Sequence, residues 1–147
     1  MRALALAALV FALPLPAFAA QDATGSETQA QAATKVVERT LLKANPGERE
    51  ALAKFIIANW FAMDSVAVSQ GLFTSYRLLE NPAADESWDL VVEVGYPTAE
   101  GYDDPATRAG FDAIRAAHTT VLIDGKSLRE LGRIVGSERL SYRAGSK

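Results

Sequence analysis

Hydrophobic and polar residues alternate over Lys35–Lys43 (KVVERTLLK). This predicts a first β-strand, with Val37, Arg39 and Leu41 on one face and Val36, Glu38, Thr40 and Leu42 on the other. The period then changes: Leu52, Phe55, Ile56, Met63 and Val66 recur at helical spacing. Asn45-Pro46-Gly47-Glu48 supplies the start of that helix, with asparagine as N-cap and proline at the first helical position. The helix is expected to run to about Gln70 and stop at Gly71, with a break near Asp64. Trp60 falls in the apolar stripe, four residues after Ile56.

Leu72–Glu80 (LFTSYRLLE) and Ser87–Tyr96 (SWDLVVEVGY) predict a second and a third strand around the turn Asn81–Glu86. Trp88, Leu90, Val92, Val94 and Tyr96 share one face, assigned to the helices and the core. The other face takes Asp89, Val91 and Glu93, joined by Ser75, Arg77, Glu38 and Thr40. A one-residue slip in pairing would exchange the two faces. Asp104-Pro105 starts a second helix through Phe111, Ile114 and Val121. A short third helix carries Leu128, Leu131 and Ile134, and Glu138–Arg143 is a final strand. The order β-α-β-β-α-β is the ferredoxin-like split βαβ arrangement. The expected fold is an α+β sandwich with helices on one sheet face.

The N-terminus changes the picture of where the chain works. Arg2, the apolar run Ala3–Leu13, the breaks at Pro14 and Pro16, and Ala17-Phe18-Ala19 read as a signal peptide cleaved before Ala20. The run is too short to span a membrane, which needs about 20 apolar residues. Export to the periplasm or the medium is expected, and no later segment reads as apolar enough to span. Residues 20–34 are small and polar and read as a disordered leader. One domain then covers residues 35–145. The chain has no cysteine, so disulfides, thiol catalysis and thiolate metal sites are excluded. An exported domain without disulfides depends on packing or oligomerisation. The formal charge of the 147 residues is −3, with both signs interspersed. That pattern lacks the clustered positive charge of a nucleic-acid footprint.

The chain resembles the dimeric α+β barrel superfamily over residues 35–144. The resemblance rests on element order and on two stretches, Gly71-Leu72-Phe73-Thr74-Ser75-Tyr76 and Phe111-Asp112-Ala113-Ile114-Arg115-Ala116-Ala117-His118. It implies ferredoxin-like protomers whose sheets pack face to face across a two-fold axis, hence a homodimer. The second stretch is similar to a helix of the heme-degrading monooxygenases, related to those of antibiotic biosynthesis. In them a histidine late in the second helix ligates the heme iron, and His118 matches that place. The chain departs from them in the first strand, where Glu38 and Arg39 stand for an asparagine, and at Tyr96, which stands for a tryptophan. The superfamily also includes cofactor-free monooxygenases of aromatic substrates.

Candidate chemistry is sparse. His118, the one histidine, reads as a heme ligand, a general base or a packed residue at a helix end. A zinc site would need mostly carboxylates, and no metal site is expected apart from His118 should heme bind. Glu38, Arg77 and Glu93 are expected to converge on the open sheet face as a polar pocket or as ion pairs, with Tyr76 and Tyr96 offering hydroxyls. Asp124-Gly125-Lys126-Ser127 lacks the first glycine of a phosphate-binding loop, since position 120 is threonine. The expected function is an exported dimeric domain binding a small molecule or a partner, with no cofactor. The alternatives are a cofactor-independent monooxygenase-like enzyme and a heme-binding protein using His118. The expected ligand-binding set is Glu38, Tyr76, Arg77, Glu93 and His118.

Overall fold

The computed structural model describes residues 33–83 and 87–141. The signal segment, nearly all of the leader, residues 84–86 of the predicted turn and residues 142–145 lie outside the described residues.

Strand β1 is Val36–Ala44. The chain then turns at Pro46-Gly47, where Gly47 has φ of +79°. The left-handed conformation delays the helix, which starts at Arg49 rather than Pro46. Asn45 does not cap it; its side-chain amide donates to the Glu130 carbonyl at 2.9 Å. Helix α1 (Arg49–Phe55), a π segment (Ile56–Trp60) and helix α2 (Phe61–Ser69) run on as one helix. The irregularity therefore lies before Asp64, not at it. By length and composition Arg49–Ser69 is apolar enough to cross a membrane, with a hydropathy of 1.4. That corrects the sequence reading of the later segments. In the fold this helix packs Leu52, Phe55 and Ile56 on the sheet.

Strand β2 (Ser75–Glu80) begins later than expected, because Leu72 N–H and Phe73 N–H both donate to the Ala67 carbonyl and close the helix first. Strand β3 is Leu90–Tyr96. A bend at Asp89 precedes it: Asp89 N–H donates to the Leu42 carbonyl, and its carboxylate accepts the Ala44 N–H at 2.8 Å. The bend breaks the alternation, so Trp88 leaves the core face to which the sequence assigned it.

A 3₁₀ turn (Gly101–Asp103) leads to α3 (Pro105–Ala117). Asp104 caps α3 as predicted, accepting the Thr107 N–H at 2.8 Å. Asp124 and Gly125, both at positive φ, form a tight turn bridged by Ile123 and Lys126. Helix α4 (Leu128–Leu131) carries a capping box of Ser127 and Glu130. Strand β4 is Gly132–Ser141, longer than predicted because it pairs along the whole of β1, to Ala44 opposite Gly132. Ile134 therefore lies on a strand, not a helix.

The strand order is β2-β3-β1-β4, antiparallel throughout. The fold is a ferredoxin-like α+β sandwich. Leu42, Leu52, Ile56, Leu90 and Leu131, all at 0% exposure, fill the space between sheet and helices. Burial of each contributes roughly 1.5–3 kcal/mol. Val36, Phe73, Tyr96 and Phe111 form a second cluster toward α3.

Candidate functional site

The core fixes which residues face the helices. Leu42, Leu90 and Val92 pack on α1, so Val37, Arg39, Leu41, Val91, Glu93, Arg77 and Leu79 point the other way. Among the described residues, no helix covers that open face. Glu93 sits at its centre, 3% exposed. Arg39 Nε donates to Glu93 Oε1 at 2.6 Å, and Arg77 Nε donates to Oε2. Burial works to raise the Glu93 pKa, but the hydrogen bonds from Arg39 and Arg77 prevail and hold it below the usual carboxylate value. Beside this group a hollow of about 310 Å³ is lined by Arg39, Leu41, Leu79, Trp88, Val91 and Glu138. Of Glu38, Arg77 and Glu93, which were expected to converge here, Arg77 and Glu93 meet. The place assigned to Glu38 is taken by Arg39.

Glu38 and Thr40 lie on the helix side, a correction to the predicted parity. Glu38 is opposite Val94, whose side chain packs in the core. Its Oε1 accepts the Tyr102 N–H at 3.2 Å and Arg139 Nε at 2.8 Å. Arg139 also reaches Asp103 at 2.6 Å. Tyr76 is on the helix side too, its ring 4.7 Å from that of Phe61. The predicted set is thus divided among the open face (Arg77, Glu93), the helix side (Glu38, Tyr76) and the far end of α3 (His118).

Asp64 is a functional candidate that the sequence reading passed over. It is 4% exposed on α2, and burial pushes its pKa up to about 7. Tyr96, buried on β3, is raised above its ordinary value by burial first, then by the negative charges of Glu38 and Asp64. A carboxyl inside the stripe Trp60–Asp64–Ala67 was the available signal: position and spacing put it on the buried face.

A second, mostly apolar hollow lies between α2 and α3. It measures about 460 Å³ and is lined by Met63, Val66, Gln70, Ala113, Ile114 and His118, with Ala62, Gly110 and Ala117 completing it. A Cβ on Gly110 would stand 2.7 Å from Leu72 Cδ1, so a larger residue there displaces the end of that side chain. His118 closes α3, and its Nε2 is 3.1 Å from Asn59 Oδ1. Asn59, 3% exposed in the π segment, is fully committed. Its Nδ2 donates to the Phe55 and Val121 carbonyls at 2.9 Å, and Oδ1 accepts the Val121 N–H at 2.7 Å. Those obligate donors and acceptors fix the amide's orientation, so His118 Nε2 is the donor in that bond, which in the neutral ring leaves the lone pair on Nδ1. A π segment frees backbone carbonyls, and Asn59 takes up that of Phe55. Such segments are frequent at functional sites.

No group of three or more metal-ligating side chains gathers among the described residues. No family model matches the chain, and no curated protein matches it in sequence. Among solved structures, PA3566 of Pseudomonas aeruginosa is 15% identical, over 77% of this chain and 98% of that one, with a TM-score of 0.49. SnoaB, a cofactor-independent oxygenase from Streptomyces nogalater, is 16% identical over 77% and 97%, with a TM-score of 0.43. A dimeric protein of unknown function and ferredoxin-like fold from Bacteroides fragilis is 11% identical over 73% and 95%, with a TM-score of 0.43. At these identities the likeness concerns the fold alone. The fold itself rests on this chain's strand order.

Proposed function

We propose that this chain is an exported homodimeric protein that binds an apolar small molecule between α2 and α3. The observation that carries the binding reading is the hollow itself. At about 460 Å³ it falls within the range of roughly 300–1,000 Å³ typical of ligand sites. Met63, Val66, Ala113, Ile114 and Ala117 supply apolar walls, and Gln70 and His118 are its polar groups. A ligand with one hydrogen-bond donor suits the Nδ1 lone pair of His118, and the Gln70 amide both donates and accepts.

The dimer is supported by the sheet. Leu79, Val135 and Leu140 are each 40–42% exposed on β2 and β4, and no helix covers the face with Leu79 and Val91. Export is supported by the composition of residues 1–19, a charged start, an apolar run and small residues at the expected cleavage point.

The test is titration with anilinonaphthalene sulfonate, an anionic fluorescent probe whose aromatic body binds apolar hollows. Wild type is expected to bind one probe per protomer. Ala113→Trp, which fills the hollow from an exposed helix position, is expected to weaken binding at least tenfold with the fold intact by circular dichroism. Unchanged affinity in Ala113→Trp would overturn the assignment.

A further inference from the structure

We infer that the space between α2 and the helix side of the sheet is a binding site for a small organic ammonium ion, with the Asp64 carboxylate as its anchor. This site is separate from the hollow between α2 and α3 and does not depend on it.

The register sets a polar row across the helix side of the sheet. From β2 through β3 and β1 to β4 it reads Tyr76, Val94, Glu38, Arg139. Tyr96 stands two residues beyond Val94 on β3 and so shares that side. Helix α2 lies over the row: the Phe61 ring meets that of Tyr76, and Ala67 packs in one cluster with Tyr96. Asp64 is one turn from both Phe61 and Ala67, so helical spacing aims its carboxyl at the sheet between them.

Asp64 and Tyr96 are each 4% exposed. Among the described residues, no hydrogen bond or ion pair reaches the Asp64 carboxyl or the Tyr96 hydroxyl. The fully enclosed polar atoms without a hydrogen bond, among the described residues, are Arg49 Nε and Thr98 Oγ1. The oxygens of Asp64 and Tyr96 are not so enclosed, and therefore border a space that water can enter. A buried carboxylate with no partner is costly, and a cation beside it removes that cost.

The surroundings select the kind of cation. Arg139, the one cation of the row, is committed to Glu38 and Asp103. The charged and titratable groups around Asp64 are Tyr76 on β2, Tyr96 on β3, Glu38 on β1, Arg139 on β4 and Tyr102 of the 3₁₀ turn; α3 adds only Phe111 and Ile114 to the cluster beside Ala67. The balance at Tyr96 is negative, with Glu38 and Asp64 outweighing Arg139. Aromatic faces attract organic cations, and a tyrosine oxygen accepts from an ammonium N–H. A metal ion suits the place less, since no group of three ligating side chains gathers among the described residues.

The experiment is calorimetric titration of the full chain with benzylamine at pH 8, with benzyl alcohol as the neutral control. Wild type is expected to bind benzylamine at least tenfold more tightly than benzyl alcohol. Protonation of Asp64, with its pKa of about 7, should weaken benzylamine binding about tenfold between pH 8 and pH 6 and leave benzyl alcohol unaffected. Asp64→Asn is expected to remove the preference for the amine, with the fold intact by circular dichroism. Equal binding of the two probes by wild type, or a preference for the amine that survives in Asp64→Asn, would overturn the site. Loss of benzylamine binding in Ala113→Trp would place the amine in the other hollow and overturn it as well.

Discussion

His118 and Asn59 join the end of α3 to the π segment, Nε2 to Oδ1 at 3.1 Å. The same oxygen holds the Val121 N–H. One buried amide thus secures the chain after α3 and sets the tautomer of the histidine that closes the hollow.

Asn59→Ala removes four hydrogen bonds and leaves the Val121 N–H and the Phe55 and Val121 carbonyls to find new partners. The expected loss is about 2–3 kcal/mol, read by urea unfolding. His118→Ala loses only the bond to Asn59 and should cost about 1 kcal/mol or less. A cost for His118→Ala equal to that of Asn59→Ala would reverse this ranking.

Asp64 makes stability depend on pH. Its folded pKa of about 7 exceeds the unfolded value of about 3.9. Between these, the folded state keeps a proton that the unfolded state has lost. Stability therefore falls as pH rises from about 4 to about 7 and levels off above that. Asp64→Asn should flatten this slope and stabilise the protein at pH 8, on the order of 1–3 kcal/mol. Unfolding free energies across pH 4–9 would show it. An unchanged slope in the variant would exclude Asp64 as its source.

Glu93 works in the opposite sense, since its folded pKa is depressed. Its contribution is present above the ordinary carboxylate pKa and is lost as pH falls through the folded value. Arg39 and Arg77 are 41% and 65% exposed, so solvent screens much of the gain. Glu93→Gln is expected to cost about 1–2 kcal/mol at pH 7 and much less at pH 3. Equal cost at both pH values would mean that packing, not charge, holds Glu93 in place.

Two glycines of β4 should respond differently to alanine. A Cβ on Gly132 would stand 2.6 Å from the Lys43 carbonyl oxygen and 2.8 Å from Leu52 Cδ2. The backbone oxygen cannot yield without disturbing the β1–β4 ladder. Gly132→Ala is expected to destabilise by about 1–3 kcal/mol, and Gly136→Ala to change stability by less than about 0.5 kcal/mol. Thermal melts of the two variants under conditions that keep the chain monomeric make the comparison.

The element order and the α+β class were legible because the hydrophobic period changes cleanly from strand to helix and back. The parity of β1 was not. Both of its faces carry aliphatic residues, Val37 and Leu41 against Val36 and Leu42, and charges sit side by side at Glu38 and Arg39. The ladder decides it, setting Leu42 opposite Leu90 in the core and Arg39 opposite Glu93 on the open face. Trp88 was misplaced because the bend at Asp89 is made by hydrogen bonds to β1, which no local pattern reports. Of the candidate site, Arg77 with Glu93 and the position of His118 were readable. Asn59 was not, since its partners at 118–121 are remote in sequence. Asp64 was readable in principle, but a charge within an apolar stripe equally signals a helix break.

Native mass spectrometry of the protein purified from an exporting host reads subunit count and bound ligand together. A dimer that retains an apolar ligand is expected, with the added mass absent from Ala113→Trp. A bare monomer, or added mass that persists in Ala113→Trp, would contradict it.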